Sequence, residues 1–407
     1  MELVAPAGNA EKFSVALHYG ADAVYLGLDA FNLRTQADNF SQDEIRQAVT
    51  TAHSMGRKTY LTLNAFIHDN DTAALRSMLM EIRDIPFDGF IIADVGMFSI
   101  LKDVIPNAAV HVSTQANVGN TDAVRFWERL GVKRVILARE LSLDDIKRIR
   151  DNVTVSLEVF AHGAMCVAYS GRCLISNYLT GRDANRGDCT QPCRWDYRLL
   201  EERSRPGELF PVIDGDGFTS VLSSKDLNMA EHLDKLRDAG VDAVKIEGRI
   251  KSVYYVATVV RVYRKLIDGL KSGVMFQNFI AEKNVRDYID ELSQVSHREY
   301  DTGFFFRETS SRGIQPTMQS YLPGRKLMAM VTEGGTRARI KIYNTITDGM
   351  TLTAIGRDYL KRELHDYKLF TARDGVCAPG VAAKINEDSY IETTAGLATY
   401  DILTLSE

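Results

Sequence analysis

Four of the five cysteines crowd into one stretch, Cys166, Cys173, Cys189 and Cys193, in the spacing C-x6-C-x15-C-x3-C, while Cys377 stands alone. Thiols this close, in a chain of this size, suit metal ligation or redox chemistry better than structural disulfides. Four thiolates from one insertion can hold a [4Fe–4S] cluster or a tetrahedral zinc, or act as redox thiols. The six-residue first gap is loose for a zinc knuckle and favours the cluster. From Arg172 to Arg205 the stretch carries seven Arg, no Lys and five acids. Rigid guanidinium forks suit carboxylates and phosphates and would offset a thiolate cluster, although a solvated loop explains so small an excess equally well.

These residues need a scaffold, and the chain repeats one phrase: an amphipathic helix, a Gly, then a short apolar strand. The strands predicted are Leu3–Ala5, Ala23–Leu28, Lys58–Leu63, Phe90–Ala93, Ala109–Ser113, Arg134–Ala138, Thr154–Phe160 and Ala243–Ile246. Gly20, Gly131 and Gly240 sit where a helix ends in the left-handed conformation. Ser41 with Glu44, and Ser142 with Asp145, have the spacing of N-terminal capping boxes. Eight such units over residues 1–270 predict a (β/α)8 barrel, interrupted at about 163–224 by the cysteine-rich insertion. A doubly wound open sheet is the alternative, weakened because no G-x-G-x-x-G follows the first strand.

A barrel would gather the polar residues after its strands at the C-terminal mouth: Asn64, Asp94, Gln115, Glu140, Glu158, Glu247 and Arg249. Strand ends are commonly wet, so no single one of these is diagnostic. A closing helix is predicted from just beyond Arg249 to about Leu270. Residues 271–325 read as a helical connector with a helix over Glu282–Leu292. Residues 326–407 read as a small β-barrel, with strands Leu327–Val331, Arg337–Tyr343, Met350–Ala354, Asp366–Thr371 and Asp401–Leu405.

Hydrophobic residues make up 45% and charged residues 25%, which excludes a disordered or fibrous chain. The net charge of −5 excludes a polycation, so any nucleic-acid contact must be local. The apolar runs are strand-sized, no membrane span is expected, and the opening Met1-Glu-Leu-Val-Ala-Pro has no secretory pattern. The expected location is the cytoplasm.

Longer motifs then carry a resemblance. Glu158-Val-Phe-Ala-His-Gly-Ala-Met-Cys166 and Tyr169-Ser-Gly-Arg-Cys173-Leu-Ile-Ser176 match the pattern E-x-F-x-x-G-A-M-C-x4-G-x-C-x-I-S at every fixed position. With Leu3-Val-Ala-Pro-Ala-Gly8, Ser113-Thr-Gln-Ala-Asn117, Asn185-Arg-Gly-Asp-Cys189-Thr-Gln-Pro-Cys193 and Lys245-Ile-Glu-Gly-Arg249, the chain resembles the collagenase-like "unassigned" peptidase family. That resemblance implies oxygen-independent hydroxylation of transfer RNA, ribosomal RNA or a ubiquinone precursor, with an Fe–S cluster. For RNA it implies prephenate as hydroxyl donor. A barrel with one small β domain is most similar to the tRNA-hydroxylating branch, which makes 5-hydroxyuridine at the wobble position.

Four site expectations follow. Cys166, Cys173, Cys189 and Cys193 would ligate the cluster. Glu158, His162, Glu140 and Glu247 would converge at the mouth for proton transfer. Arg172, Arg194, Arg249 and Gln115 would hold the dicarboxylate donor. Arg261, Arg264 and Lys265, at i, i+3 and i+4 of the closing helix, would present a stripe to tRNA phosphates, with Tyr254, Tyr255 or Tyr263 stacking on a base. The competing picture for that helix is a solvated face with its tyrosines packed on the barrel. Two rival functions remain. A peptidase lacks H-E-x-x-H and would have to pair Cys166 with His162; a non-catalytic RNA-binding protein would use the cluster structurally.

Overall fold

The computed structural model describes residues 1–33, 38–166, 168–192, 200–201, 209–210, 224–306, 322, 324–373, 376–380 and 382–406. Its first seven strands are β1 (Glu2–Pro6), β2 (Ala23–Leu26), β3 (Lys58–Leu63), β4 (Gly89–Ile92), β5 (Val110–Val112), β6 (Arg134–Ile136) and β7 (Ser156–Ala164). A hairpin, β8 (Leu200–Glu201) and β9 (Leu209–Phe210), and a short β10 (Asp226–Asn228) precede β11 (Ala243–Ile246). Strands β1 to β7 pair in parallel in sequence order, and β11 pairs with both β7 and β1, closing an eight-stranded barrel. The (β/α)8 expectation holds.

Helices α1 (Ala10–His18), α2 (Gln42–Ser54), α3 (Thr72–Ile82), α4 (Val95–Val104), α5 (Thr121–Arg129) and α6 (Leu143–Arg150) alternate with the strands. Both expected capping boxes form, Ser41 with Glu44 and Ser142 with Asp145, satisfying donors that a helix start would otherwise leave bare. Gly20, Gly131 and Gly240 adopt φ of +104°, +79° and +81°, which only glycine takes at little cost.

Three departures bear on function. Strand β7 runs to Ala164, and its last three residues pair antiparallel with β10, which in turn pairs with β12 (Tyr300–Asp301). The insertion therefore springs from a strand extension above the barrel rim. After a short α7 (Ile175–Thr180) in the insertion and α8 (Leu233–Asp238), the closing helix α9 (Val253–Gly269) is almost wholly buried.

The third departure is in the C-terminal domain. Here β13 (Leu327–Glu333), β14 (Gly335–Ile342), β16 (Leu352–Ile355), β17 (Arg362–Leu364), β18 (Tyr367–Arg373), β19 (Val376–Gly380), β21 (Asp388–Leu397) and β22 (Ile402–Leu405) form one antiparallel sheet, a half-barrel. The short β15 (Ile346–Thr347) and β20 (Ala382–Ala383) pair beside it. The sequence predicts five of these strands and misses β17, β19 and β21.

Burial of α9 overturns the expected RNA stripe. The Arg261 guanidinium donates to the carbonyls of Gly356, Tyr359 and Leu360 at 2.9, 3.2 and 3.0 Å, which ties the half-barrel to the helix. Arg264 pairs with Asp22 and Asp268, and the Lys265 ammonium lies 5.7 Å from the ring centre of Tyr288. Tyr254, Tyr255 and Tyr263 are buried, as the packed-tyrosine alternative requires. Only a narrow wet edge remains, at half-buried Arg264 and Lys265 and exposed Asp268, because the segment Val253-Tyr-Tyr-Val-Ala-Thr-Val-Val is almost wholly apolar and must be covered.

Candidate functional site

Alternation along a barrel strand sends every second side chain inward. On β11 and its exit these are Lys245, Glu247 and Arg249, three charged residues spaced by two on one face. They line a pocket at the C-terminal mouth together with Tyr25, Thr62, Phe160, Asn64 and Gln115. Its interior open to the centre of a water molecule is about 40 Å³, enough for a few waters or one carboxylate group. Of the residues expected there, Glu247, Arg249 and Gln115 are in place.

Arg249 is held before any ligand arrives. Its guanidinium donates to Asn32 Oδ1 at 2.9 Å, to Thr62 Oγ1 at 3.4 Å and to Asn39. Gly27 makes room for it: a Cβ there would lie 2.7 Å from a guanidinium nitrogen. Gln115 accepts from Asn64 at 3.2 Å and is also bonded to Ser113. Arg139, which the sequence did not single out, stacks 3.9 Å from the ring centre of Phe160 and donates to the Ala164 carbonyl at 2.8 Å. Its guanidinium also lies 3.9 Å from the Glu247 carboxylate, so it braces the wall where the insertion departs.

Glu158 is not at the mouth. It is fully buried one layer lower, accepting from Arg134 at 2.9 Å and from Lys245 at 3.1 Å. Arg134 also reaches Glu2, which accepts from Tyr60 at 2.6 Å. Burial opposes ionisation of Glu158, but Lys245 and Arg134 outweigh it and hold the carboxyl below its usual range. The same balance draws Glu2 down to about 2, with Arg134 the main opposing partner. Burial pushes Lys245 below the usual lysine range, against the pull of Glu158. The misplacement arises because β7 has nine residues, so Glu158 is near its start. Lys245, which sequence reasoning passed over, rests 4.3 Å from the ring centre of Tyr25 and links this network to the pocket lining.

His162 is also displaced from the expected role. It is 1% exposed and faces the helix layer, with Tyr263 Oη and Tyr300 Oη each 3.4 Å from its ring nitrogens. Burial pushes it down to about 3, so it is neutral near pH 7. A neutral imidazole boxed in by Tyr255, Tyr263 and Tyr300 is a packing group. Glu140 lies half-buried in the turn after β6, outside the pocket lining, and burial raises its carboxyl above the usual range. Asp94 caps α4 through Met97 N–H at 3.0 Å.

The cysteine loop lies over this mouth. Asn185 accepts from Phe66 N–H at 3.2 Å and donates to the Cys173 carbonyl at 3.0 Å. Arg186 pairs with Asp71 at 2.9 Å, and Gly171 presses on Gln115. Cys166 and Cys173 are free thiols, and Gln191 N–H donates to Cys189 Sγ at 3.4 Å. Thiols are the donor chemistry that a cluster or zinc takes, but among the described residues no three His, Cys, Asp or Glu side chains come together as a metal site. Cys193 and Arg194 lie outside the described residues, as does the side chain of Cys377. Arg172 is exposed on the loop and does not reach the pocket lining.

Known proteins resemble this chain over the same region. The tRNA hydroxylation protein P1 of Bacillus subtilis is 43% identical over 75% of this chain and 70% of its own. The 23S rRNA 5-hydroxycytidine C2501 synthase of Escherichia coli K12 is 38% identical over 66% of this chain but only 40% of its own. A collagenase of Porphyromonas gingivalis is 34% identical over 75% of this chain and 73% of its own. The model of peptidase family U32 matches residues 8–315, a span that takes in the pocket, the cysteine loop and nearly all of the barrel. This chain belongs to peptidase family U32.

Proposed function

We propose that this protein hydroxylates RNA, and specifically that it converts a tRNA wobble uridine to 5-hydroxyuridine without molecular oxygen. The observation that carries the proposal is the seating of the cysteine-bearing loop over a preorganised cationic pocket. RNA-hydroxylating relatives support the class of reaction, and the tRNA relative is matched over more of its length than the ribosomal one. Cys166, Cys173, Cys189 and Cys193 would hold a [4Fe–4S] cluster, which when bound supplies electron-transfer or Lewis-acid chemistry.

Replacing C5–H by C5–OH oxidises the base by two electrons. The hydroxyl donor must therefore also take up those electrons, and prephenate is the donor implied. Arg249, already oriented by Asn32, Asn39 and Thr62, binds a carboxylate of that donor at no reorganisation cost, with Lys245 adding charge from below. Glu247 is the carboxylate in the pocket and the group placed to take a proton there. Tyr25, Phe160 and the overlying loop exclude water.

Among the described residues the Cys166–His162 pair that proteolysis would need is not set up, since His162 is enclosed by Tyr255, Tyr263 and Tyr300. Anaerobically prepared protein, incubated with unmodified tRNA and prephenate, should yield one added oxygen on a uridine by nucleoside mass spectrometry. Arg249→Ala should lower the yield at least a hundredfold with metal content unchanged. Unmodified tRNA from fully metal-loaded wild type would overturn the proposal.

A further inference from the structure

Tyr25 and Tyr255, near the barrel mouth, are buried. Tyr169, on the cysteine loop, is 55% exposed. It opens a turn of the cysteine loop that closes when Arg172 N–H donates to the Tyr169 carbonyl at 3.0 Å. Inside the turn, Gly171 has φ +75° and lies so near Gln115 that a Cβ would stand 3.0 Å from the Gln115 Cβ. The turn thus rests its backbone on a pocket wall, buries Ser170 and leaves Tyr169 and Arg172 exposed. Arg172 is exposed, and no acid pairs with it among the described residues. Leu174, next along, is 69% exposed.

An exposed aromatic ring and a guanidinium with no acid on it among the described residues, three positions apart on a turn packed against the pocket wall, offer a flat face and a positive charge at the rim. Every nucleobase offers a π-face to stack, and Arg prefers phosphate. We propose that Tyr169 is the stacking platform for the unpaired RNA base delivered to the pocket, with Arg172 on a flanking phosphate. This rests on RNA hydroxylation as the function. It also relocates the RNA contact from buried α9 to the loop that carries the thiols, so the reacting base would be held beside both halves of the site.

The test uses the full-length, metal-loaded protein and an anticodon stem–loop carrying the fluorescent base 2-aminopurine at the wobble position. Wild type and Tyr169→Trp should quench the probe. Tyr169→Ala should leave it bright and bind about tenfold more weakly, the lower range of one lost base stack. Arg172→Ala should reduce the log–log salt slope of binding by about one. Tyr169→Ala that quenches and binds like wild type would overturn the stacking role alone, as would loss of metal from that variant, which would mark Tyr169 as structural. Failure of wild type to bind the stem–loop would instead bring down the RNA function itself, and this assignment with it.

Discussion

Glu158 shows how a residue can match a family motif, carry a charge, and still stand away from the chemistry. Arg134 and Lys245 take up its two oxygens, and with Glu2 on Arg134 two acids and two bases offset one another inside the barrel. Removing one member of such a buried group leaves the others uncompensated. Glu158→Gln should therefore destabilise the protein by about 3 kcal/mol in chemical unfolding. Near-native stability with lost hydroxylation would restore Glu158 to the mouth.

The same network sets an acid limit. His111 and His162 are both pushed down to about 3 by burial, so between the ordinary histidine value and pH 3 the unfolded chain binds protons that the folded chain refuses. Stability is thus lost as pH falls from about 6.5, by up to about 1.4 kcal/mol per unit for each histidine. Glu2 and Glu158 act in the same direction at lower pH, because depressed carboxyls lose their contribution as they protonate. Unfolding free energy measured between pH 7 and 4 should fall steadily, and a flat profile would contradict the buried neutral histidines. Burial of this kind is not legible in sequence. Glu247 and Arg249 were legible as residues at the end of a predicted strand, whereas Lys245, on the same face by its spacing of two, was passed over.

At the scale of elements, the strands and helices of the barrel were readable because each unit carries its own period, cap and terminating glycine. Two kinds of element were not. Strand β21 turns Ser389 and Thr393 inward, and small polar residues at core positions hide the alternation that marks a strand. Helix α9 carries an attractive basic triplet, yet its apolar first half is the stronger signal. Arg261 there spends its charge on three carbonyls of the half-barrel, hydrogen bonds to an ionised group being worth about 1.5–3 kcal/mol. Arg261→Glu should loosen the two domains and lower the melting temperature by several degrees, while a metal-loaded sample keeps the salt dependence of tRNA binding. A reduced salt slope without loss of stability would return α9 to the RNA surface.

For the molecule as a whole, the barrel fixes where a reaction can happen and the insertion supplies what the barrel lacks. No helix among the described residues is long and apolar enough to cross a membrane, and with an acidic net charge the proposed RNA contact would rest on local groups. Deep polar packing, loop docking on Gln115 and Asp71, and enclosure of α9 by a second domain all depend on contacts distant in sequence, which periodicity alone does not encode. The central claim is that the cysteine loop holds the metal beside the pocket. Iron and acid-labile sulfide, measured per chain in anaerobically purified protein, test it most directly. The account predicts near-equal iron and sulfide, lost on changing Cys166, Cys173, Cys189 or Cys193 singly to Ala and retained in Cys377→Ala. Zinc without sulfide, or full iron in any of the first four variants, would contradict it.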